Sequence, residues 1–195
     1  MLGQPELGVT SIGGQPLRPH PRTPCAAVEQ LEAEVIRLPS NALMLGYFLT
    51  GAMAELSLPP PAPPTRADEL WRHTCFEAFV GSVGEEPYFE FNFATSGEWA
   101  AYRFSGYRTG MGIVGEVSAP RFQVRTTART CELKISLATD QVEGLRANAR
   151  WRLGLSAVIE DKAGGKSYWA LAHPPGKADF HHADSFAREL PPMEP

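Results

Sequence analysis

The chain has 195 residues, 18 basic against 22 acidic side chains and a formal net charge of −4, enough for one well-buried core and short for two. The charges are spread along it, with no basic cluster interleaved with aromatics, which argues against nucleic acid or a membrane surface as a partner. Mean hydropathy is −0.21, and no apolar run approaches the roughly 20 residues of a spanning helix.

Residues 1–24 are rich in Pro and Gly and read as a flexible arm, with one edge pairing around residues 7–12. Residues 25–190 read as a single β-rich domain. The start lacks a basic segment followed by an apolar one, so no secretory signal is expected and the cytoplasm is the expected location. The sparse, widely spaced Cys25, Cys75 and Cys131 form no disulfide framework.

In residues 26–38 the Ala, Glu and Leu content favours a helix, but Val28, Gln30, Glu32 and Glu34 alternate with Glu29, Leu31, Ala33 and Val35. The alternation and the stop at Pro39 favour a strand. Residues 41–53 form an apolar strand after a Pro-Ser-Asn turn. Pro59, Pro60, Pro61, Pro63 and Pro64 cannot donate ladder hydrogen bonds and predict a surface loop, with a polyproline ligand for a protein partner as the alternative.

Residues 69–94 read as two strands and a tight connection. Side chains two apart on a strand share a face, so Trp71, His73, Cys75, Glu77 and Phe79 fall on one side. On the partner strand Phe89, Phe91 and Phe93 form a core stripe opposite Tyr88, Glu90 and Asn92. Further strands are expected at 99–104, 121–126, 131–137, 151–160 and 167–172, the last two joined by a turn on Gly164-Gly165. Residues 139–149 are the one short-helix candidate, with Thr139 or Asp140 as N-cap. Short strands with glycine-marked turns argue for an all-β sandwich or barrel.

The polar face of the 69–94 hairpin suits a polyhydroxylated ligand. Trp71, Trp99 or Trp169 can stack on a sugar ring, Glu77, Glu90 and Asn92 can accept from hydroxyls, and Arg103 can donate. The plain alternative is a solvated face whose charges pair across strands. His73 with Cys75, and the loop histidines His173, His181 and His182, are weak candidates for metal, and His73 and His173 are also candidates for the wall of the ligand site. No GxSxG, HExxH or phosphate-binding loop occurs, and Glu77 with Glu90 is too unspecific a pair to predict glycoside hydrolysis, so no enzyme activity is expected.

The stretches LWRHTCFEAFVG, YFEFNFATSGEWAAYRFSGYRTGM, LGLSAVIED and SYWALAHPPGKADFHHADSF resemble the bacterial DOMON-like domain proteins. These are similar to type 9 carbohydrate-binding modules and, more distantly, to the DOMON haem- and sugar-binding domains. The likeness runs over residues 42–190. It implies an antiparallel immunoglobulin-like or jelly-roll β-sandwich, here with one short helix, and a non-catalytic ligand-binding function, carbohydrate first. By that resemblance Trp71 and Trp169 are positioned as a sugar clamp. In the haem-binding alternative Met111 would act with His73 or His173.

Overall fold

The computed structural model describes residues 9–193. In chain order its strands are β1 (Thr10–Pro16), β2 (Arg18–Pro19), β3 (Val28–Arg37), β4 (Ala42–Gly51), β5 (Thr65–Arg66), β6 (Cys75–Ser82) and β7 (Tyr88–Phe93). They continue as β8 (Glu98–Phe104), β9 (Gly112–Ile113), β10 (Arg121–Thr126), β11 (Thr130–Ala138), β12 (Trp151–Glu160), β13 (Lys166–Ala170) and β14 (Arg188–Leu190). Two sheets face each other. The smaller has the order β1-β3-β4-β11-β10, and the larger β2-β13-β12-β6-β7-β8-β5, with β14 beside β13 on the same edge of β12 and β9 against β8. Among the described residues every strand pairing is antiparallel except the two-residue contact of β5 with β8.

The alternating pattern in residues 26–38 does form a strand, and its inward side chains Leu31, Ala33 and Val35 enter the core. They meet Leu43, Leu45, Tyr47 and Leu49 of β4 and Leu133, Ile135 and Leu137 of β11. The larger sheet supplies Phe76, Ala78 and Val80, the stripe Phe89, Phe91 and Phe93, and Leu153, Leu155 and Ile159. The smaller sheet alternates buried and exposed positions along β11 because its outer face meets water.

The larger sheet is different: β6 and β7 are buried at every position, so both of its faces are covered. Its outer face carries a second apolar cluster of Phe79, Tyr88, Ala100, Tyr102, Phe104, Val158, Ala170 and Phe180. One hydroxyl links the two layers. Tyr47 of β4 donates across the core to the Glu77 carbonyl at 2.7 Å. Tyr47→Phe removes one buried hydrogen bond and should cost about 1 kcal/mol, read as a lower midpoint in urea unfolding with an unchanged slope.

The N-terminal segment is more engaged than its composition suggests. From Thr10 it is the edge strand of the smaller sheet, and Arg18–Pro19 pairs with β13 of the larger. Of the pairing expected around residues 7–12, residues 7 and 8 lie outside the described residues. The proline cluster is an exposed surface segment, as expected.

The helix expected at residues 139–149 is absent; among the described residues the helical elements are three short 3-10 turns. Arg37 explains the difference. Its side chain is fully buried, and its guanidinium lies 3.4 Å over the Trp151 ring. It donates to the carbonyls of Arg146 (2.9 Å), Ala147 (2.9 Å), Ala149 (3.0 Å) and Pro191 (3.1 Å), and to Asn41 Oδ1 (3.2 Å). Asn41 in turn donates to the Leu145 carbonyl at 2.6 Å. Carbonyls that would accept within a helix point inward at these side chains instead, and Gly144, at φ 100°, breaks the helical path.

Candidate ligand-binding site

The outer face of the larger sheet is where chemistry collects. Register places Ser156, Glu77 and Asn92 side by side across β12, β6 and β7, with Ala170 and Ala100 at the ends of the row. The next row runs Gly154, Phe79, Glu90, Tyr102. Neighbours in such a row are about 4.8 Å apart. The two carboxyls therefore sit on adjacent strands and adjacent rows of one face.

Two segments fold over this face. One is the 3-10 turn Leu70–Arg72, which sets Trp71 edge-on to Tyr102 at 5.7 Å. The other is the stretch after β13, which ends in the turn Ala183–Ser185. Gly154 lets that turn settle on the sheet, since a Cβ there would come within 3.0 Å of the Ser185 carbonyl oxygen. Asp179 ties the stretch to the loop after β8. It accepts from Arg108 Nη2 at 2.8 Å, Tyr107 Oη at 2.5 Å and the His181 amide at 3.1 Å.

Between these covers and the sheet lies a cavity of about 350 Å³. Glu77, Glu90, Phe104, Val158 and Tyr168 form its floor and sides, and Trp71, Arg108, Met111, Ala178, Phe180 and His181 its walls and mouth.

The floor is electrostatically unusual. Glu77 is 2% exposed, and its Oε1 has no hydrogen-bond partner. Glu90 is 4% exposed and accepts from Asn92 Nδ2 at 2.7 Å, which leaves Asn92 Oδ1 without a donor. Burial raises the Glu90 carboxyl to about 7, against the opposing effects of the Asn92 hydrogen bond and the Arg108 charge. Burial, and then the neighbouring Glu90, push Glu77 well above the usual carboxylate range. For Asp179 the balance reverses. Burial opposes ionisation, but the hydrogen bonds from Arg108 and Tyr107 outweigh it and hold the carboxyl low.

His181 is neutral here, since burial and then the Arg108 charge lower its pKa to about 4. Its Nδ1 lies 2.8 Å from the Tyr88 hydroxyl, which itself accepts from the Arg108 amide at 3.2 Å. The other ring nitrogen, Nε2, lies 3.7 Å from Glu90 Oε2.

Of the residues singled out from sequence, Trp71, Glu77, Glu90, Met111 and His181 line the cavity, and Asn92 stands behind Glu90. The others lie elsewhere. Trp99 and Trp169, each 4% exposed, point between the sheets into the main core, so Trp169 cannot pair with Trp71 as a clamp. Arg103, on the same face of β8 as Trp99, is exposed and ion-paired with Glu116 at 3.1 Å. His73 precedes β6 rather than lying on it; its side chain is 75% exposed and its Nδ1 meets Glu160 at 2.8 Å. His173 bonds the Arg18 carbonyl at 2.8 Å. Neither His73 nor His173 lines the cavity with Met111. His182 accepts from the Asp184 amide as the cap of a turn. Among the described residues no group of three or more His, Cys, Asp or Glu is placed to hold a metal ion.

Phe104, Arg108, Val158, Tyr168, Ala178 and Phe180 were not singled out from sequence as ligand-facing residues. Tyr168 carried a usable signal, since it alternates with the inward Trp169. Phe180 and Arg108 lie in irregular segments, where no periodicity fixes direction.

No family model matches the chain, and no curated protein matches it. Among solved structures it is similar to a protein of Bacteroides uniformis described as a "putative carbohydrate-binding protein", at 13% identity and TM-score 0.57, over 92% of this chain and 84% of that one. Looser likenesses are to a family 9 carbohydrate-binding module from Caldicellulosiruptor kristjanssonii. With cellotriose the figures are 8% identity and TM-score 0.42, over 93% of this chain and 79% of that one. With glucose they are 10% and 0.40, over 82% and 76%. Of these three the first bears on the fold. The chain is an all-β sandwich whose fold is similar to that of the Bacteroides uniformis protein.

Proposed function

We propose that the protein is a non-catalytic module that binds a carbohydrate in the cavity on the outer face of its larger sheet. The observation that carries this reading is the pairing of aromatic walls with a buried, unpartnered carboxyl oxygen: Trp71, Phe104, Tyr168 and Phe180 around Glu77 Oε1. Apolar ring faces suit the C–H surface of a sugar, and orphaned acceptors suit its hydroxyls. At about 350 Å³ the cavity is near the small end of known ligand sites, about 300–1,000 Å³. It fits a single sugar ring better than a long chain.

Isothermal titration against a panel of mono- and oligosaccharides tests the proposal. At least one sugar should bind, and Trp71→Ala should weaken it by about tenfold or more, since one stacked aromatic is worth about 1–2 kcal/mol. Trp71 is only partly buried, so that variant should fold. Failure of every sugar to bind would overturn the reading.

A further inference from the structure

We propose that the ligand of this cavity carries a positively charged nitrogen, an ammonium group, seated over Glu77 and Glu90. The inference rests on the cavity being the ligand site, and it narrows the sugar class to amino sugars.

Three observations converge on it. The first is the polarity of the unused groups. Glu77 Oε1, in the cavity floor, is buried without a partner, as are Asn92 Oδ1 and Ser156 Oγ beside it in one cross-strand row but outside the cavity lining. A neutral sugar offers hydroxyls that both donate and accept, whereas an ammonium offers donors alone. Once ionised, the Glu77 and Glu90 carboxyls of the floor accept only, and so match the second pattern. The second observation is the walls. Trp71, Phe104, Tyr168 and Phe180 present rings around the acidic floor, and aromatic faces attract cations, most strongly where water is excluded.

The third is the surrounding charge. Arg108 is the cationic side chain among the cavity-lining residues, and it is bonded to Asp179. His181 faces Glu90 as a neutral ring. The Cys75 thiol and the Tyr47, Tyr88 and Tyr102 hydroxyls also face the carboxyls, and burial suppresses the acidity of all four, with Tyr102 donating to Asp68. Without a ligand the carboxyl pair avoids buried charge by holding protons. An entering ammonium favours the ionised form, so one carboxyl gives its proton to solvent as the ion pair forms. Binding therefore releases roughly one proton per ligand and strengthens as pH rises through 7.

Titration calorimetry in two buffers of different ionisation enthalpy provides the test. The probes are glucosamine, galactosamine and mannosamine, their N-acetylated forms, the parent hexoses, and cyclohexylamine as an amine without a sugar. The expected result is that an amino sugar binds about tenfold or more tightly than its N-acetylated form and its parent hexose. Proton release should accompany it, and the ratio should fall toward unity in the E77Q/E90Q double variant. Equal binding of amino, acetylated and parent sugars would overturn the inference and leave the carbohydrate reading standing. Binding of cyclohexylamine without any sugar would support the ammonium site and overturn the carbohydrate reading. No binding by any of the amines would overturn the inference.

Discussion

Replacing Arg37 with methionine should destabilise the fold by about 3–5 kcal/mol, and in a chain of this size that lowers Tm by about 10 °C. Its guanidinium organises the carbonyls of Arg146, Ala147, Ala149 and Pro191 and the side chain of Asn41. Methionine fills much of the same volume over Trp151 but leaves those acceptors buried and unmet. Burial lowers the Arg37 pKa to about 10, so the group is still charged at neutral pH and its hydrogen bonds are charge-assisted. Arg37→Lys should recover only a minority of the loss, because an ammonium lacks the planar fork that reaches several carbonyls at once. Thermal and urea unfolding of the two variants beside the parent protein would check this. A methionine variant within about 1 kcal/mol of the parent would show that the carbonyls find other partners.

Glu90→Gln should make the protein more stable at pH 8 by about 3 kcal/mol, and by almost nothing at pH 4.5. A carboxyl whose pKa rises from 4.5 to about 7 on folding binds more protons in the native state over that interval. Native stability therefore falls as pH climbs through it. Glutamine keeps an oxygen for Asn92 and carries no charge to bury. His181 works in the opposite sense. Its pKa falls on folding from 6.5 to about 4, so its contribution is present above 6.5 and lost as pH drops toward 4. The two slopes offset each other below about pH 6.5, and the loss from Glu90 emerges above it. Urea unfolding of Glu90→Gln and the parent from pH 4.5 to 8.5 should show curves that diverge upward. Parallel curves would mean that Glu90 is ionised in the native protein with little penalty.

How much of this could be read from sequence depended on whether a residue sat in regular alternation. Phe89, Phe91 and Phe93 could only be a core stripe, and that assignment carried Glu90 and Asn92 to the opposite face, where they lie. The same rule, extended across the turn at residues 94–97, would have put Trp99 in the core, because it pairs in register with Phe93. Residue type suits Trp99 for stacking on a sugar, but its parity turns it inward. Trp169 was misplaced in the same way; it pairs with the inward Ala157. Alternation was also carried too far upstream: β6 begins at Cys75, and Trp71 reaches the cavity through a 3-10 turn rather than along a strand. The helix expected at residues 139–149 failed for another reason. Local propensity there is overridden by Arg37, more than 100 residues earlier in sequence.

The arrangement of the tryptophans has a practical consequence. Trp99, Trp151 and Trp169 are sealed between the sheets, and Trp71 is partly open to solvent at the wall of the cavity. The chain therefore contains its own optical reporter. Iodide should quench the fraction of intrinsic fluorescence that comes from Trp71 and leave the buried majority dark to it. A ligand that fills the cavity should shift that fraction toward the blue and shield it from the quencher, so that occupancy can be followed in the unlabelled protein.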